Sequence, residues 1–332
     1  MLDNKTFPED HYKESQIVFG HDAKILRHFN CDLDHSINLG ISSLEPKEIK
    51  TRIEYFLKTY NLKYFLLSNT DVFLRDSSNY KIGFEELFTW LSEQPAIFII
   101  QTLGTTDKKH ADNVIEICYP YMFNLKPHKT FSNVDREYGF SFLNNYPRYF
   151  RLELGFYLWN AHLIDDIFYT QSLHNETPET INTYIDSKKF KEFTKLLPIQ
   201  YEKNKNMEHD HTVNNPAFSN SYAHIYTETE IDFPVVTEKT FKPYVSGQIP
   251  IPLASKGHLA YLKSLGFHVF DDLLGQDYDY LDPYHKMHKI KDLVKKGKSF
   301  IKDYYIYNRD KIEHNNMNLK NMHSKRLKNI KF

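Results

Sequence analysis

The segment Val236–Leu253, VTEKTFKPYVSGQIPIPL, carries the residues whose types and spacing best suit a chemical role. Thr237 is a typical helix N-cap, which places Glu238, Lys239 and Thr240 in the first helical turn. Backbone N–H groups are free in a first turn, and the helix dipole adds positive charge beside the Lys239 ammonium. The segment therefore predicts a phosphate site, with Glu238 accepting hydrogen bonds from ribose hydroxyls. An ordinary capped helix with a solvated Glu–Lys pair is the alternative.

Polar residues at the ends of two further predicted strands belong to the same region. Glu228 follows the strand Tyr222–Tyr226, and Ser255 follows the strand Ile249–Leu253. Ligands of doubly wound sheets lie outside the carboxyl ends of the strands, so both side chains are predicted to face a ligand, as is Tyr278 further along the chain. A solvated glutamate and a plain helix N-cap by Ser255 are the alternatives.

The elements that must position these residues alternate between helix and strand. In the first half, helical spacing over Pro46–Lys58 precedes a strand at Lys63–Ser68, and a helix at Phe84–Leu91 precedes a buried strand at Ala96–Gln101. The second half repeats the pattern with strands at Phe140–Leu143, Ile167–Thr170, Tyr222–Tyr226, Ile249–Leu253 and His268–Phe270, and helices at Tyr146–Leu163, Glu238–Ser246 and His258–Leu265. Such alternation is typical of parallel sheets.

The sequence therefore predicts the α/β class, with two Rossmann-like, doubly wound domains that face a cleft. The first domain is predicted to span residues 1–130 and the second residues 138–332. A polar linker is expected at about Lys126–Glu137, and helices from about Lys286 close the chain.

Composition narrows the class of protein. The 332 residues hold 42 Lys and Arg against 43 Asp and Glu, a net charge of −1, so no global field attracts nucleic acid or membrane. Two cysteines and an acidic N-terminus without an apolar run predict a cytoplasmic protein. There is no P-loop and no G-x-G-x-x-G, which argues against NTPases and dehydrogenases.

Two parts of the second half resemble the nucleotide-sugar domain of α1,3-fucosyltransferase-like enzymes. One is Thr237-Glu238-Lys239 after a strand, in the form TEKTFKP that bacterial and viral members show. It continues with Pro243, the Gly247–Pro250 bend into IPIPL, and LAYLKSLGFHVFDD with Tyr278 and Asp279 downstream. The other is residues 140–166, where a strand with Asn144 precedes an Arg-x-x-Arg helix start at Arg148 and Arg151. Together the two parts cover roughly residues 138–315.

This resemblance implies a GT-B fold and an inverting, metal-independent transfer of a sugar from a nucleotide-diphosphate sugar, with a GDP-sugar favoured, to a hydroxyl. It implies no cofactor beyond the donor. The departing diphosphate gains negative charge, which Lys239, Arg148 and Arg151 would stabilise, with Asn144 nearby. Without the resemblance, a surface ion pair of the arginines with Glu153 is the plainer interpretation.

In a two-domain glycosyltransferase the general base is expected from the first domain. A carboxylate or imidazole there would take the proton of the acceptor hydroxyl. Asp71, after the strand Lys63–Ser68, is the leading candidate, followed by His21 and Asp22 after the apolar run IVFG. Each of them could instead cap a loop, because Asx turns at strand ends are common.

Competing metal sites are weaker. Asp32-Leu33-Asp34 and Asp277-Tyr278-Asp279 both spell D-x-D, which holds a divalent cation in GT-A enzymes but occurs often by chance. His209-Asp210-His211 and the pair His285 and His288 have no cysteine beside them, so exposed histidines are expected rather than zinc ligands.

The end of the chain is basic, with 14 Lys and Arg against 4 Asp and Glu from Lys286 to Phe332. An amphipathic helix that packs on the domain is the default, and contact with anionic lipid or with DNA is the alternative. The acceptor could therefore be a glycan, a glycolipid or, for a viral enzyme, a hydroxymethylated DNA base. A nucleotide-sugar-binding or structural protein without turnover is a further alternative.

Overall fold

The computed structural model describes residues 26, 30–40, 44–60, 62–68, 78–102, 108–118, 135–144, 148–171, 187–199, 213, 215–229, 231 and 236–327. The chain forms two compact units. One comprises Met1–Pro120 with Ser324–Phe332, and the other comprises Tyr121–His323.

The first unit holds a five-stranded sheet in the order β1-β2-β3-β5-β4. Its elements are β1 (Ser36–Gly40), α1 (Pro46–Thr59), β2 (Tyr64–Ser68), α2 (Ser78–Ser92), β3 (Ile97–Thr102), β4 (Lys108–Ala111) and β5 (Val114–Cys118). All strand pairs are parallel except β4 with β5. The predicted helix–strand alternation is confirmed, with α1 burying Ile49, Ile53 and Phe56 against the core. The β4–β5 hairpin was not predicted, because its KKHA strand is polar, as protected edge strands often are.

The second unit holds a parallel sheet in the order β7-β6-β8-β9. Its elements are β6 (Tyr138–Asn144), α3 (Tyr149–Asn160), β7 (Ile167–Gln171), α4 (Ser187–Thr194), α5 (Pro216–Asn220), β8 (Ser221–Thr227), α6 (Glu238–Ser246), β9 (Ile249–Leu253), α7 (His258–Ser264), α8 (Asp271–Leu274), α9 (Pro283–Val294), α10 (Gly297–Tyr307) and α11 (Arg309–Leu327). Every residue of β7, β8 and β9 is buried, as expected for parallel strands covered on both faces.

The strand predicted at His268–Phe270 is wrong, since these residues form irregular backbone. The side chain of Asn315 in α11 forms the backbone hydrogen bonds of this segment that a neighbouring strand would otherwise form. Its Oδ1 accepts from the His268 backbone N–H at 2.8 Å, and its Nδ2 donates to the His268 carbonyl at 2.8 Å. A short apolar run in the sequence cannot reveal that a distant asparagine will take up its backbone groups.

The basic C-terminal helices pack on the second unit, which confirms the default interpretation of their amphipathic pattern. Ile290, Leu293, Val294 and Ile301 are buried in its core, and Tyr304 is partly buried against it. Some surrounding lysines are paired with acids, as Lys302 is with Asp135 at 3.1 Å. No described helix is long and apolar enough to cross a membrane. Contact with lipid or DNA stays a prediction.

The buried cation of Arg136 forms hydrogen bonds to several elements at the amino end of this sheet. Arg136 is 8 % exposed, and its guanidinium donates to the carbonyls of Ser221 at 2.6 Å and Gly247 at 3.1 Å. It also donates to the hydroxyl of Tyr305 at 3.1 Å. Burial lowers the pKa of Arg136, and these three acceptors replace the water that the charge has lost. Arg136 therefore joins β6, β8, the end of α6 and α10.

Arg136→Ala should lower the free energy of unfolding by about 3 kcal/mol, because it leaves buried carbonyls without donors. Urea denaturation followed by circular dichroism measures this loss. The matched control is Lys263→Ala, which removes a cation whose partner Asp271 lies on the surface. This control should change stability by no more than about 0.5 kcal/mol. Equal effects of the two substitutions would contradict the assignment.

Candidate functional site

The carboxyl end of β8 is joined to the amino end of α6 by Glu228. This side chain is fully buried, and its carboxylate accepts four hydrogen bonds. The Thr237 N–H donates to it at 3.1 Å and the Thr237 hydroxyl at 2.7 Å. The Thr229 N–H donates at 3.3 Å, and the Thr240 hydroxyl completes the set. Glu228 thus fixes where the first turn of α6 lies.

This network changes the expected phosphate site. Thr237 is the N-cap, as predicted, and its Oγ1 accepts from the Lys239 N–H at 3.3 Å. The N–H groups of Thr237 and Lys239 therefore already have partners, and the Glu228 carboxylate supplies the negative charge that the helix dipole favours. The expectation of free first-turn N–H groups is therefore wrong for Lys239. A solvated Glu228 is also ruled out by its burial.

The cation of the predicted pair remains partly exposed. Lys239 Nζ lies 2.9 Å from Glu238 Oε1 and 3.4 Å from the Thr229 hydroxyl. The Lys239 side chain is 29 % exposed, and that of Glu238 is 12 % exposed. Burial raises the pKa of Glu238, but Lys239 and Lys242 outweigh this effect, so the net pKa is lowered and the carboxylate stays charged. The pair is an ion pair beside the Glu228 network.

The two predicted arginines lie at the amino end of α3. Arg148 is the N-cap residue and is partly buried. Arg151 is 4 % exposed, and its Nη2 lies 3.5 Å from the Thr227 carbonyl and 3.4 Å from the Glu228 carbonyl. The structure therefore brings Arg151 to the same strand end as the Glu228 network. A surface ion pair with Glu153 does not describe Arg151, because both side chains are buried.

Asn144 belongs to the same edge of the sheet. It is the last residue of β6, it is 2 % exposed, and β6 runs parallel to β8 as its neighbour. The carboxyl ends of these two strands therefore meet where Arg151 lies. The structure thus places Asn144, Arg148, Arg151, Glu228, Thr237, Glu238 and Lys239 at the carboxyl end of the sheet, and their roles toward a donor stay predictions.

The turn after β9 differs from expectation. Ser255 is 2 % exposed, but it does not cap α7, since the N-cap is Gly257 with φ 79°. Asp279 caps the helix instead, accepting from the N–H groups of Leu259 and Ala260 at 2.9 Å each. A carboxylate twenty residues downstream is invisible to a local capping rule.

Tyr278 is a core residue rather than a ligand contact. It is 1 % exposed, and its hydroxyl donates to the Pro252 carbonyl in β9. Burial raises the pKa of this phenol well above its usual value. The predicted donor contact by Tyr278 is therefore corrected, because the hydroxyl of a buried tyrosine takes the nearest backbone acceptor.

Sequence reasoning missed Lys286, a lysine that is 1 % exposed at the amino end of α9. Its Nζ donates to the carbonyls of Ala254 at 2.9 Å and Ser255 at 3.1 Å. Burial lowers its pKa to about 8. The sequence does hold one signal for its burial. Lys286 lies on the same helix face as the apolar residues Ile290 and Leu293, and a residue on that face is expected to be buried.

The D-x-D and histidine patterns do not form metal sites in the described part of the chain. Both carboxylate oxygens of Asp279 accept backbone N–H groups, and Asp277 lies 4.0 Å from Lys289. His285 is exposed and lies 2.6 Å from Asp282. The described residues hold no group of three or more His, Cys, Asp and Glu suited to a metal ion.

The candidate bases Asp71, Asp22 and His21 lie outside the described residues. So do His209, Asp210 and His211. The role of each base candidate therefore stays a prediction.

Comparison with known proteins gives a weak structural likeness. No protein-family model and no curated protein match the chain. It is similar to a crystal structure of an α1,3-fucosyltransferase, with 13 % identity over 88 % of this chain and 90 % of that chain and a TM-score of 0.33. It is also similar to an α1,3-fucosyltransferase crystal structure with GDP-fucose, with 12 % identity over 77 % and 90 % of the two chains and a TM-score of 0.30. At these scores the functional argument rests on the residues of the site.

Glu228→Gln should lower the free energy of unfolding by about 2 kcal/mol, because an amide group cannot accept all four hydrogen bonds. Chemical denaturation measures this. Glu238→Gln is the matched control, and its loss should stay below about 1 kcal/mol because Lys239 is partly exposed. If Glu228→Gln were neutral, the buried network would not depend on a carboxylate.

The stability of the wild type relative to Lys286→Met should rise as the pH increases from about 8 to 10.5. The folded pKa of Lys286 lies below its unfolded value of 10.5, so the unfolded chain binds more protons in this range, and the gain is at most about 3 kcal/mol. Paired denaturation curves at several pH values test this, since other titrating groups cancel. A difference that stays flat across this range would contradict the lowered pKa.

Proposed function

We propose that this protein is a glycosyltransferase that uses a nucleotide-diphosphate sugar, with a GDP-sugar favoured. The observation that carries the proposal is that two cations contact the residues directly after β8. Arg151 Nη2 lies 3.4 Å from the Glu228 carbonyl, and Lys239 Nζ lies 3.4 Å from the Thr229 hydroxyl. The Glu228 carboxylate holds the helix start that carries Lys239. Two cations fixed at the ligand-binding edge of a parallel sheet suit a diphosphate. The sequence resemblance of the same residues points to the same donor class.

The ion pair of Lys239 with Glu238 suggests how the donor would bind. A diphosphate offers Lys239 a stronger partner than one carboxylate, so Lys239 would turn from Glu238 to the phosphate oxygens. Glu238, released from that contact, would accept hydrogen bonds from the ribose hydroxyls. Lys239 and Arg151 then face the charge that develops on the departing diphosphate as the glycosidic bond breaks. Metal independence and inversion are part of this proposal.

The remaining parts of the proposal concern the first unit. Its mainly parallel sheet is compatible with the acceptor-side domain of a GT-B enzyme. Asp71, Asp22 and His21 remain the proposed bases for the acceptor hydroxyl. The acceptor class, whether glycan, glycolipid or modified DNA base, is left to experiment.

Calorimetric titration with GDP, UDP, ADP and CMP and with their sugars tests the donor site. One nucleoside diphosphate should bind selectively. Lys239→Ala should weaken its binding about 10-fold or more, because the substitution removes one charge-assisted hydrogen bond. The same substitution should leave the affinity for the free nucleoside unchanged, because a nucleoside offers no phosphate. Binding should also persist in EDTA.

Lys263→Ala in the last turn of α7 is the matched control and should bind like the wild type. If no nucleotide binds, the proposal is wrong and a structural protein is favoured. Binding without sugar transfer to any acceptor would favour a non-catalytic nucleotide-sugar-binding protein. Transfer to a hydroxymethylated duplex with steep salt dependence would identify the DNA acceptor.

A further inference from the structure

A buried lysine holds the turn that follows β9. Lys286 donates from α9 to two successive carbonyls, those of Ala254 and Ser255. Its Nζ also lies 5.4 Å from the centre of the Tyr278 ring. A buried ammonium needs such acceptors, and here they belong to the backbone of residues 254–257. This turn is therefore fixed to a helix some thirty residues downstream in the chain.

The turn is held from a second side by Asp279. The backbone carbonyl of Asp279 accepts from the Gly257 N–H at 3.4 Å, while its carboxylate caps the helix that follows. Gly257, with φ 79°, takes a left-handed conformation that lets the chain enter α7. The Lys286 ammonium and the Asp279 backbone carbonyl thus hold this turn at Ala254, Ser255 and Gly257.

The side chain of Ser255 is the one group in this turn that these contacts do not explain. It is 2 % exposed, and its Oγ has no hydrogen-bond partner among the described residues. Buried hydroxyls without a partner are uncommon in folded proteins, and a ligand can supply the missing acceptor. Ser255 also follows Leu253, whose carbonyl accepts from the Glu228 N–H at 3.1 Å, so it lies beside the donor site.

We infer that Lys286 is a positioning residue that holds the turn at residues 254–257 so that the Ser255 hydroxyl donates to an oxygen of the bound diphosphate. This inference rests on the proposed function, which supplies the ligand. Lys256, exposed in the same turn, adds a positive charge on that side. Lys286 itself does not touch the ligand, because it is buried and two of its three ammonium N–H groups donate to the carbonyls of Ala254 and Ser255.

A positioning role accounts for a lysine at this core position. A methionine would fill the same space without desolvating a charge, but it would leave the carbonyls of Ala254 and Ser255 without donors. The turn could then rotate, and the Ser255 hydroxyl would lose its direction. Binding of the diphosphate, rather than of the nucleoside, should report this loss.

Calorimetry with GDP and with guanosine tests the inference on wild type, Ser255→Ala, Lys286→Met and the double variant. Ser255→Ala should weaken GDP about 10-fold and leave guanosine unchanged, the effect of one hydrogen bond to a charged oxygen. Lys286→Met should give a similar loss. The double variant should bind no more weakly than Lys286→Met alone, because both changes remove the same contact.

The outcomes separate this inference from the proposed function. If wild type binds neither GDP nor any other nucleotide of the panel, the proposed function itself fails. If wild type binds GDP and both single variants bind it equally well, the inference is overturned while the donor site stands. Additive losses in the double variant would also overturn it, since Lys286 would then not act through Ser255. Because Ser255→Ala deletes only one oxygen, it tests the contact even if Lys286→Met fails to fold.

Discussion

The acceptance of four hydrogen bonds by the buried carboxylate of Glu228 is the constraint on which the rest of the site depends. Removing a carboxylate from water is unfavourable by several kcal/mol unless donors replace the water. Thr229, Thr237 and Thr240 supply those donors, and the positive end of α6 adds to them. The start of α6 can therefore lie in only one place relative to β8. The position of Lys239, two residues after the N-cap, is fixed in the same way.

The second unit holds a buried charge at each end of its sheet, and the two have different consequences. At the amino end, Arg136 donates only to the unit's own carbonyls and to a tyrosine hydroxyl. At the carboxyl end, Glu228 and Arg151 are buried, but Lys239 and Arg148 remain partly exposed. The charges at the amino end stabilise the fold. The partly exposed charges at the carboxyl end are those that the proposed donor would meet, at the edge where parallel sheets bind ligands.

Features set by residues close together in the sequence could be predicted, and features set by contacts between distant residues could not. The helix Glu238–Ser246, its N-cap Thr237 and the strand Ile249–Leu253 were predicted to the residue, because capping and apolar runs are local. The side-chain hydrogen bonds that join distant segments were not predicted. The side chain of Asn315 bonds both backbone groups of His268, Asp279 caps α7, and Lys286 donates to the Ser255 carbonyl, each from 19 or more residues away. These contacts replace the predicted strand at His268–Phe270, and they rule out the helix cap that was the alternative to a ligand contact for Ser255. The Tyr278 hydroxyl, predicted to contact a ligand, donates to the Pro252 carbonyl.

Two glutamates at one helix start illustrate how burial divides structural from ligand-binding roles. Glu228 is buried beneath four donors, so no ligand could replace it without leaving those donors unpaired. Glu238 forms an ion pair with the partly exposed Lys239, and Lys242 also favours its charged form. A partly exposed pair of this kind contributes about 1 kcal/mol or less. Under the proposed function, a diphosphate would displace Glu238 from Lys239 at small cost while the helix start stays in place. The buried Glu228 network would then keep the geometry of the site, and the Glu238–Lys239 pair would open to admit the donor.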